Sequence, residues 1–313
     1  MWKDEHVISV NDFTEESVQD IISCADACRA AVLREPGHNA DILSCCKHKI
    51  MACVFYEPST RTNCSFTSAM LRLGGTHIQV NDSSSSVKKG ETLQDTLRCL
   101  QCYSDVIVLR HPDIGSANLA SSYLSKPLIN AGDGAGEHPT QALLDLYTIL
   151  REQGGSLNGL NITLLGDLKY GRTTHSLAKL LSLFPVTLNY VAVHELQMPD
   201  HVVDHVAMNP KVVQNTFDSL EEVLTTTDIL YVTRVQKERF ATEQEYEDVK
   251  NRFIVTTKVV ERLKCTCSIM HPLPRVNEIS EEVDTFPNAA YFRQMENGMY
   301  VRMALLAKIL GVL

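Results

Sequence analysis

The chain has 313 residues, of which 44% are hydrophobic and 21% charged, and carries a formal net charge of −9; this is a globular composition with room for two domains of about 150 residues each. The acidic balance excludes a broad nucleic-acid surface, which needs many Lys and Arg contacts to phosphate, and no apolar run reaches the roughly 18 residues that cross a bilayer. The start, Met1-Trp2-Lys3-Asp4-Glu5-His6, shows no apolar stretch behind a basic segment, so a secretory signal is not expected, a cytoplasmic location is, and the ten cysteines read as reduced thiols.

In chain order, helical periodicity first appears at Val18, Ile21, Ile22, Ala25, Cys28 and Val32, behind the cap-like segment Asn11 to Thr14. Strands are expected at 50–56, 76–80, 106–110 and 127–131, separated by helices at 62–73, 91–104 and about 115–124. A helix from about 138 to 152 leads into a second series, with strands near 161–166, 186–192, 229–233 and 267–270 and helices near 171–183 and 218–226. Strands alternating with helices predict an α/β fold of two domains, each a parallel sheet flanked by helices. Ala289 to Leu310 closes the chain as an amphipathic helix, with Met299, Met303, Leu306 and Leu310 at helical spacing. Ser83 to Glu91 is low in complexity and reads as a mobile loop; its two lysines leave open both a solvated connection and a phosphate-covering lid.

Three clusters carry chemistry, Ser59-Thr60-Arg61-Thr62, His138-Pro139-Thr140-Gln141 and His271-Pro272-Leu273-Pro274-Arg275, and strand-end arginines join them. Ser59-Thr60-Arg61-Thr62 follows an apolar run of strand length and opens a helix, so free backbone N–H groups, hydroxyls and a guanidinium converge where an anion is favoured. Arg110 ends the apolar run Val106-Ile107-Val108-Leu109 at a strand's carboxyl edge, the usual ligand edge of open α/β sheets. His138 and Gln141 are three apart at a helix start and share a face. In the second half, Arg172 opens a helix in Gly166-Asp167-Leu168-Lys169-Tyr170-Gly171-Arg172-Thr173, which lacks the GxGxxG spacing of a dinucleotide site. Arg234 ends another strand, and two arginines so placed suit a dicarboxylate. Cys99 and Cys102 form the one CxxC pair, with no second pair to complete a zinc site, and His201 and His205 lack the glutamate of a zinc-protease helix. No metal or cofactor is expected.

Taken together, Phe55-Tyr56-Glu57-Pro58-Ser59-Thr60-Arg61-Thr62, Lys88-Lys89-Gly90-Glu91-Thr92, Arg110-His111-Pro112, Gly132-Asp133-Gly134 with His138-Pro139-Thr140-Gln141, Thr233-Arg234-Val235-Gln236 and His271-Pro272-Leu273-Pro274-Arg275 resemble the aspartate carbamoyltransferase family along essentially the whole chain. Tyr291-Phe292-Arg293-Gln294 and Asn297-Gly298-Met299-Tyr300 are similar to its eukaryotic members, the transcarbamoylase portions of multifunctional pyrimidine-synthesis proteins.

The resemblance implies transfer of the carbamoyl group of carbamoyl phosphate to the amine of L-aspartate, in de novo pyrimidine biosynthesis. It implies a carbamoyl phosphate-binding domain over 1–136, an aspartate-binding domain over 137–288, and a C-terminal helix over 289–313 that packs back on the first. By the same carry-over Ser59, Thr60, Arg61 and Thr62 hold phosphate, and Thr62, Arg110 and His138 polarise the carbonyl oxygen. Gln141 and the carbonyls of Pro272 and Leu273 hold the carbamoyl NH₂, while Arg172, Arg234 and Gln236 hold aspartate. Residues matching Ser85 and Lys89 reach into a neighbouring subunit's site and contact carbamoyl phosphate, Lys89 also aspartate, which implies a homotrimer with shared sites. Domain closure would bring the amine onto the carbonyl carbon, and no protein nucleophile is required.

Asn63-Cys64 and Glu137 depart from many bacterial members without touching these ligands. Ornithine carbamoyltransferases share the phosphate turn but carry cysteine where this chain has Pro272, and Arg172 and Arg234 suit their amine-bearing substrate poorly. A catalytically silent scaffold is the other reading, and the chain is compatible with both a free-standing enzyme and a segment of a multifunctional polypeptide.

Overall fold

The computed structural model describes residues 2–81, 90–235, 242, 246 and 252–313. The chain divides into two compact units, the first running to Leu144 and including Glu296–Leu313, the second Asp145–Met295.

The first unit holds strands β1 (Ile50–Phe55), β2 (Thr76–Asn81), β3 (Val106–His111) and β4 (Leu128–Asp133) in the order β2-β1-β3-β4, all parallel. Helices α1 (Glu15–Leu33), α2 (Thr60–Arg72), α3 (Leu93–Leu100) and α4 (Ser116–Ser121) connect or cover them. β1 and β3 are buried almost throughout, as the central strands of a sheet covered on both faces must be. The helices expected at 91–104 and about 115–124 are shorter than their patterns, spanning Leu93–Leu100 and Ser116–Ser121. Thr92 sets the first boundary by accepting from Asp95 N–H at 3.1 Å.

The second unit holds β5 (Asn161–Leu165), β6 (Thr187–Val191), β7 (Val213–Phe217), β8 (Ile229–Val232) and β9 (Ser268–Met270) in the parallel order β7-β6-β5-β8-β9. Two of its elements escaped sequence reading. Among the described residues β7 pairs only with β6, and it is partly exposed, as suits an edge strand with the polar sequence Val213-Gln214-Asn215-Thr216-Phe217. The helix Asp200–Ala207 buries Val202 and Val206 alone, too few to show a period.

The helix expected at 218–226 is a correction: only Leu220–Glu222 forms a 3₁₀ turn. Buried Leu220, Val223 and Leu224 mimic helical spacing. The β-branched run Thr225-Thr226-Thr227 ends it, with the Thr226 and Thr227 hydroxyls donating to the Val223 carbonyl at 3.1 and 2.8 Å.

The unit boundary falls inside helices rather than at the expected 136/137 and 288/289. α5 (Pro139–Glu152) is buried from Pro139 through Ile149, so no polar or glycine break marks the change of unit. The second unit's helices α6 (Arg172–Leu181), α7 (Asp200–Ala207) and α8 (Thr257–Val260) are followed by the closing helix α9 (Tyr291–Ile309). From Glu296 onward it belongs to the first unit, where Arg302 donates to Ser65 Oγ at 2.8 Å and Lys308 to Asp20 at 2.7 Å. No helix among the described residues is long and apolar enough to cross a membrane.

Candidate active site

In the first unit, the sequence-predicted ligands gather at the carboxyl ends of three adjacent strands. β1 ends at Phe55, in register with Arg110 of β3, and Tyr56 N–H donates to the Arg110 carbonyl at 2.9 Å. The chain then turns through Glu57-Pro58 into α2, whose N-cap Ser59 makes no side-chain cap bond. Without a side-chain cap from Ser59, the first turn of α2 presents its positive dipole end, where an anion is favoured. Thr62 is buried, whereas Thr60 and Arg61 are exposed; partial desolvation draws the Arg61 guanidinium below its usual pKa.

Arg110 is buried at the sheet edge, where it donates to the Ala131 carbonyl at 3.3 Å and pairs with Glu57 at 3.0 Å. A fixed planar fork with two anchors is a directional donor for a ligand oxygen.

β4 leads to His138 through a glycine-bearing loop pinned by Asp133. Its carboxylate accepts from Glu137 N–H at 2.7 Å and Gly115 N–H at 2.8 Å. Gly134 takes φ +53, and a Cβ there would meet the Pro112 carbonyl oxygen at 2.1 Å, so only glycine fits. Glu137, one of the departures, accepts from Val10 N–H at 2.8 Å. His138 and Gln141 follow at the start of α5, both buried, with the His138 carbonyl accepting from Gln141 and Ala142 N–H.

The second unit repeats the arrangement at β5, β8 and β9, which are adjacent. β5 is followed by Gly166 at φ +116, where a Cβ would lie 2.4 Å from the Thr233 carbonyl oxygen. Asp167 then accepts from Tyr170 N–H at 3.0 Å, shaping the turn that delivers Arg172 to the first position of α6. β8 is followed by Thr233, whose N–H donates to Leu165 at 2.8 Å, and then by half-buried Arg234. β9 is followed by His271-Pro272-Leu273, with Leu273 at φ 52.

Ser85, Lys89 and Gln236, and most of the expected loop at 83–91, lie outside the described residues. Glu57 pairs with Arg110, and Asp133 and Asp167 accept from backbone N–H groups of their own turns, but none of the three is singled out by the sequence. A carboxylate beside a strand-end arginine or in a glycine-bearing loop was the available signal. Among the described residues no three His, Cys, Asp or Glu side chains form a metal-holding group.

The model of the carbamoyl-P binding domain of aspartate/ornithine carbamoyltransferases matches residues 5–151, and that of the Asp/Orn binding domain matches residues 158–309. The chain is 53% identical over 307 residues to the multifunctional protein CAD of Squalus acanthias, covering 98% of this chain and 13% of that protein. It therefore spans a small part of such multifunctional relatives. It is also 48% identical over 312 residues to the aspartate carbamoyltransferase catalytic subunit of Thermoplasma acidophilum, covering 99% of this chain and all of that one (100%). The crystal structure of Trypanosoma cruzi aspartate transcarbamoylase in complex with N-(phosphonacetyl)-L-aspartic acid matches with a TM-score of 0.93 at 42% identity, covering 99% of this chain and 97% of that chain.

Proposed function

The chain belongs to the aspartate/ornithine carbamoyltransferase family, and we propose that it transfers the carbamoyl group of carbamoyl phosphate to the α-amine of L-aspartate, giving N-carbamoyl-L-aspartate and phosphate. The observation that carries the reading is the division of ligands. Anion and carbonyl donors stand at the carboxyl edge of β1, β3 and β4 in one unit, and two arginines stand at the edge of β5 and β8 in the other.

Ser59, Thr60, Arg61 and Thr62 hold the phosphate, while Thr62, Arg110 and His138 donate to the carbonyl oxygen. Gln141 and the Pro272 and Leu273 carbonyls receive the carbamoyl NH₂, and Arg172, Arg234 and Gln236 grip the two aspartate carboxylates. The amine attacks the carbonyl carbon, forming a C–N bond and a tetrahedral oxyanion that the donors stabilise. The C–O bond to phosphate then breaks, and the departing phosphate carries away the amine proton. No covalent enzyme intermediate is needed, because holding two substrates in line supplies much of the acceleration.

Aspartate is favoured over ornithine as acceptor by the paired arginines and by Pro272, where ornithine enzymes carry cysteine. We extend the reading to a homotrimer in which Ser85 and Lys89 complete a neighbour's site, to a cytoplasmic place in pyrimidine biosynthesis, and to occurrence either alone or within a multifunctional polypeptide.

The division of ligands is tested by splitting the two substrates. Arg234→Ala raises KM for aspartate by on the order of 10²-fold, the loss expected for one partner of a charge-assisted pair, and leaves carbamoyl phosphate affinity near the wild-type value. Arg61→Ala does the reverse. Equal effects on both substrates from either variant contradict the assignment.

A further inference from the structure

The turn after β9 is built around one buried ring. Leu273 holds φ 52, a left-handed conformation that a γ-branched residue seldom adopts, and such outliers persist only where their surroundings over-determine them. Here the Leu273 N–H donates to His271 Nδ1 at 2.7 Å. On the other side of the ring, Nε2 lies 2.7 Å from Glu278 Oε1. The remaining Glu278 oxygen accepts from the N–H groups of Val276 and Asn277, both at 3.1 Å. His271 and Glu278 are 1% and 4% exposed.

These bonds fix the state of the ring. A nitrogen that accepts from a backbone N–H carries its lone pair, so Nδ1 is unprotonated and the proton sits on Nε2, donated to Glu278. The imidazole is neutral and faces a carboxylate that three N–H donors hold ionised.

The backbone of His271 is anchored as well. Its N–H donates to Gln294 Oε1 at 2.9 Å, the Gln294 amide donates to Asp145 Oδ1 at 2.7 Å, and Tyr231 O–H donates to Asp145 Oδ2 at 2.7 Å. Tyr231, Asp145 and Gln294 are all fully buried. His271 is thus held at ring and backbone, and passes that placement to Leu273.

We infer that His271 is a positioning residue: as a neutral, Nε2-protonated ring fixed by Glu278, it holds Leu273 left-handed through Nδ1 and so sets the Pro272 and Leu273 carbonyls that receive the carbamoyl NH₂. This rests on the functional reading above for the role of those carbonyls. The Nδ1 bond carries the effect, and the Nε2 bond serves to lock the tautomer.

Two isosteres separate the bonds. In His271→Asn the Oδ1 atom replaces Nδ1 as acceptor for Leu273, whereas in His271→Gln the amide nitrogen replaces Nε2 as donor to Glu278. KM for carbamoyl phosphate in His271→Asn stays within about threefold of wild type, and in His271→Gln it rises about tenfold, the range set by one hydrogen bond. Equal KM values in the two variants, with an active wild type, overturn the inference. A wild type that transfers no carbamoyl group overturns the functional reading instead. Should neither variant fold, ¹⁵N NMR of the histidine-labelled wild type decides: the neutral Nε2–H tautomer of His271 between pH 6 and 8 supports the inference, and an imidazolium or Nδ1–H tautomer overturns it.

Discussion

Arg110 and Glu57 form an ion pair 3.0 Å long at the carboxyl edge of the first sheet, with Arg110 buried and Glu57 half-buried. The guanidinium proposed to donate to the carbonyl oxygen is therefore held in place before substrate arrives. Glu57→Gln keeps the shape but weakens that hold. Turnover is expected to fall about tenfold, since small misplacements of a donor cost rate steeply, while the melting temperature stays close to wild type. Steady-state kinetics with a thermal scan checks both.

His138 is buried immediately before α5 and is assigned one of three donors to the developing oxyanion. His138→Ala should lower kcat by on the order of 10²–10³-fold with little change in carbamoyl phosphate binding. Turnover equal to wild type would remove His138 from the mechanism.

Gly134 and Gly166 set the two loops by close approach to the backbone carbonyl oxygens of Pro112 and Thr233, at 2.1 and 2.4 Å from a would-be Cβ. Neither oxygen is the end of a flexible side chain. Replacement by alanine combines the left-handed penalty of roughly 1–2 kcal/mol with a clash, so Gly134→Ala and Gly166→Ala should each lose about 2 kcal/mol or more in urea unfolding. Gly134→Ala should also lose turnover, because its loop leads to His138.

The Glu278 carboxyl has a pH signature. Burial pushes its pKa up, but the His271 hydrogen bond and the backbone N–H donors outweigh burial, and the net direction is down. A depressed folded-state pKa contributes stability that is fully present above the unfolded value of about 4.3 and is lost as pH falls through the folded value. Glu278→Gln should therefore flatten the acid side of the stability curve below about pH 4.3, and urea midpoints measured from neutral to acid pH should converge with wild type as pH falls.

Much of this was legible in the sequence because it sits in continuous runs. β1 and β3 are near-unbroken apolar stretches: Arg110 closes β3, Ser59 to Thr62 come within a few residues of β1, and His138 and Arg172 follow β4 and β5 after short turns. What escaped was set by tertiary partners. β7 is a polar edge strand, and the 218–226 pattern was helical in spacing but is stopped by threonines bonding back to Val223. The supporting carboxylates Glu57, Asp133 and Glu278 look like ordinary surface acids until the fold places Arg110, Gly115 and His271 beside them.

Sharing of sites between subunits is tested by complementation. At carbamoyl phosphate well below saturation, Arg61→Ala and Lys89→Ala should each be nearly inactive alone, yet a mixture dissociated and reassembled should regain activity through sites that draw Arg61 from one chain and Lys89 from another. A mixture that stays inactive argues for self-contained sites.

The central claim is tested most directly by following label from carbamoyl phosphate in parallel reactions with L-aspartate, L-ornithine and no acceptor. The account predicts labelled N-carbamoyl-L-aspartate, with phosphate released in equal amount, and no labelled product from the other two. Transfer to ornithine, or saturable carbamoyl phosphate binding with transfer to neither amino acid, would contradict it.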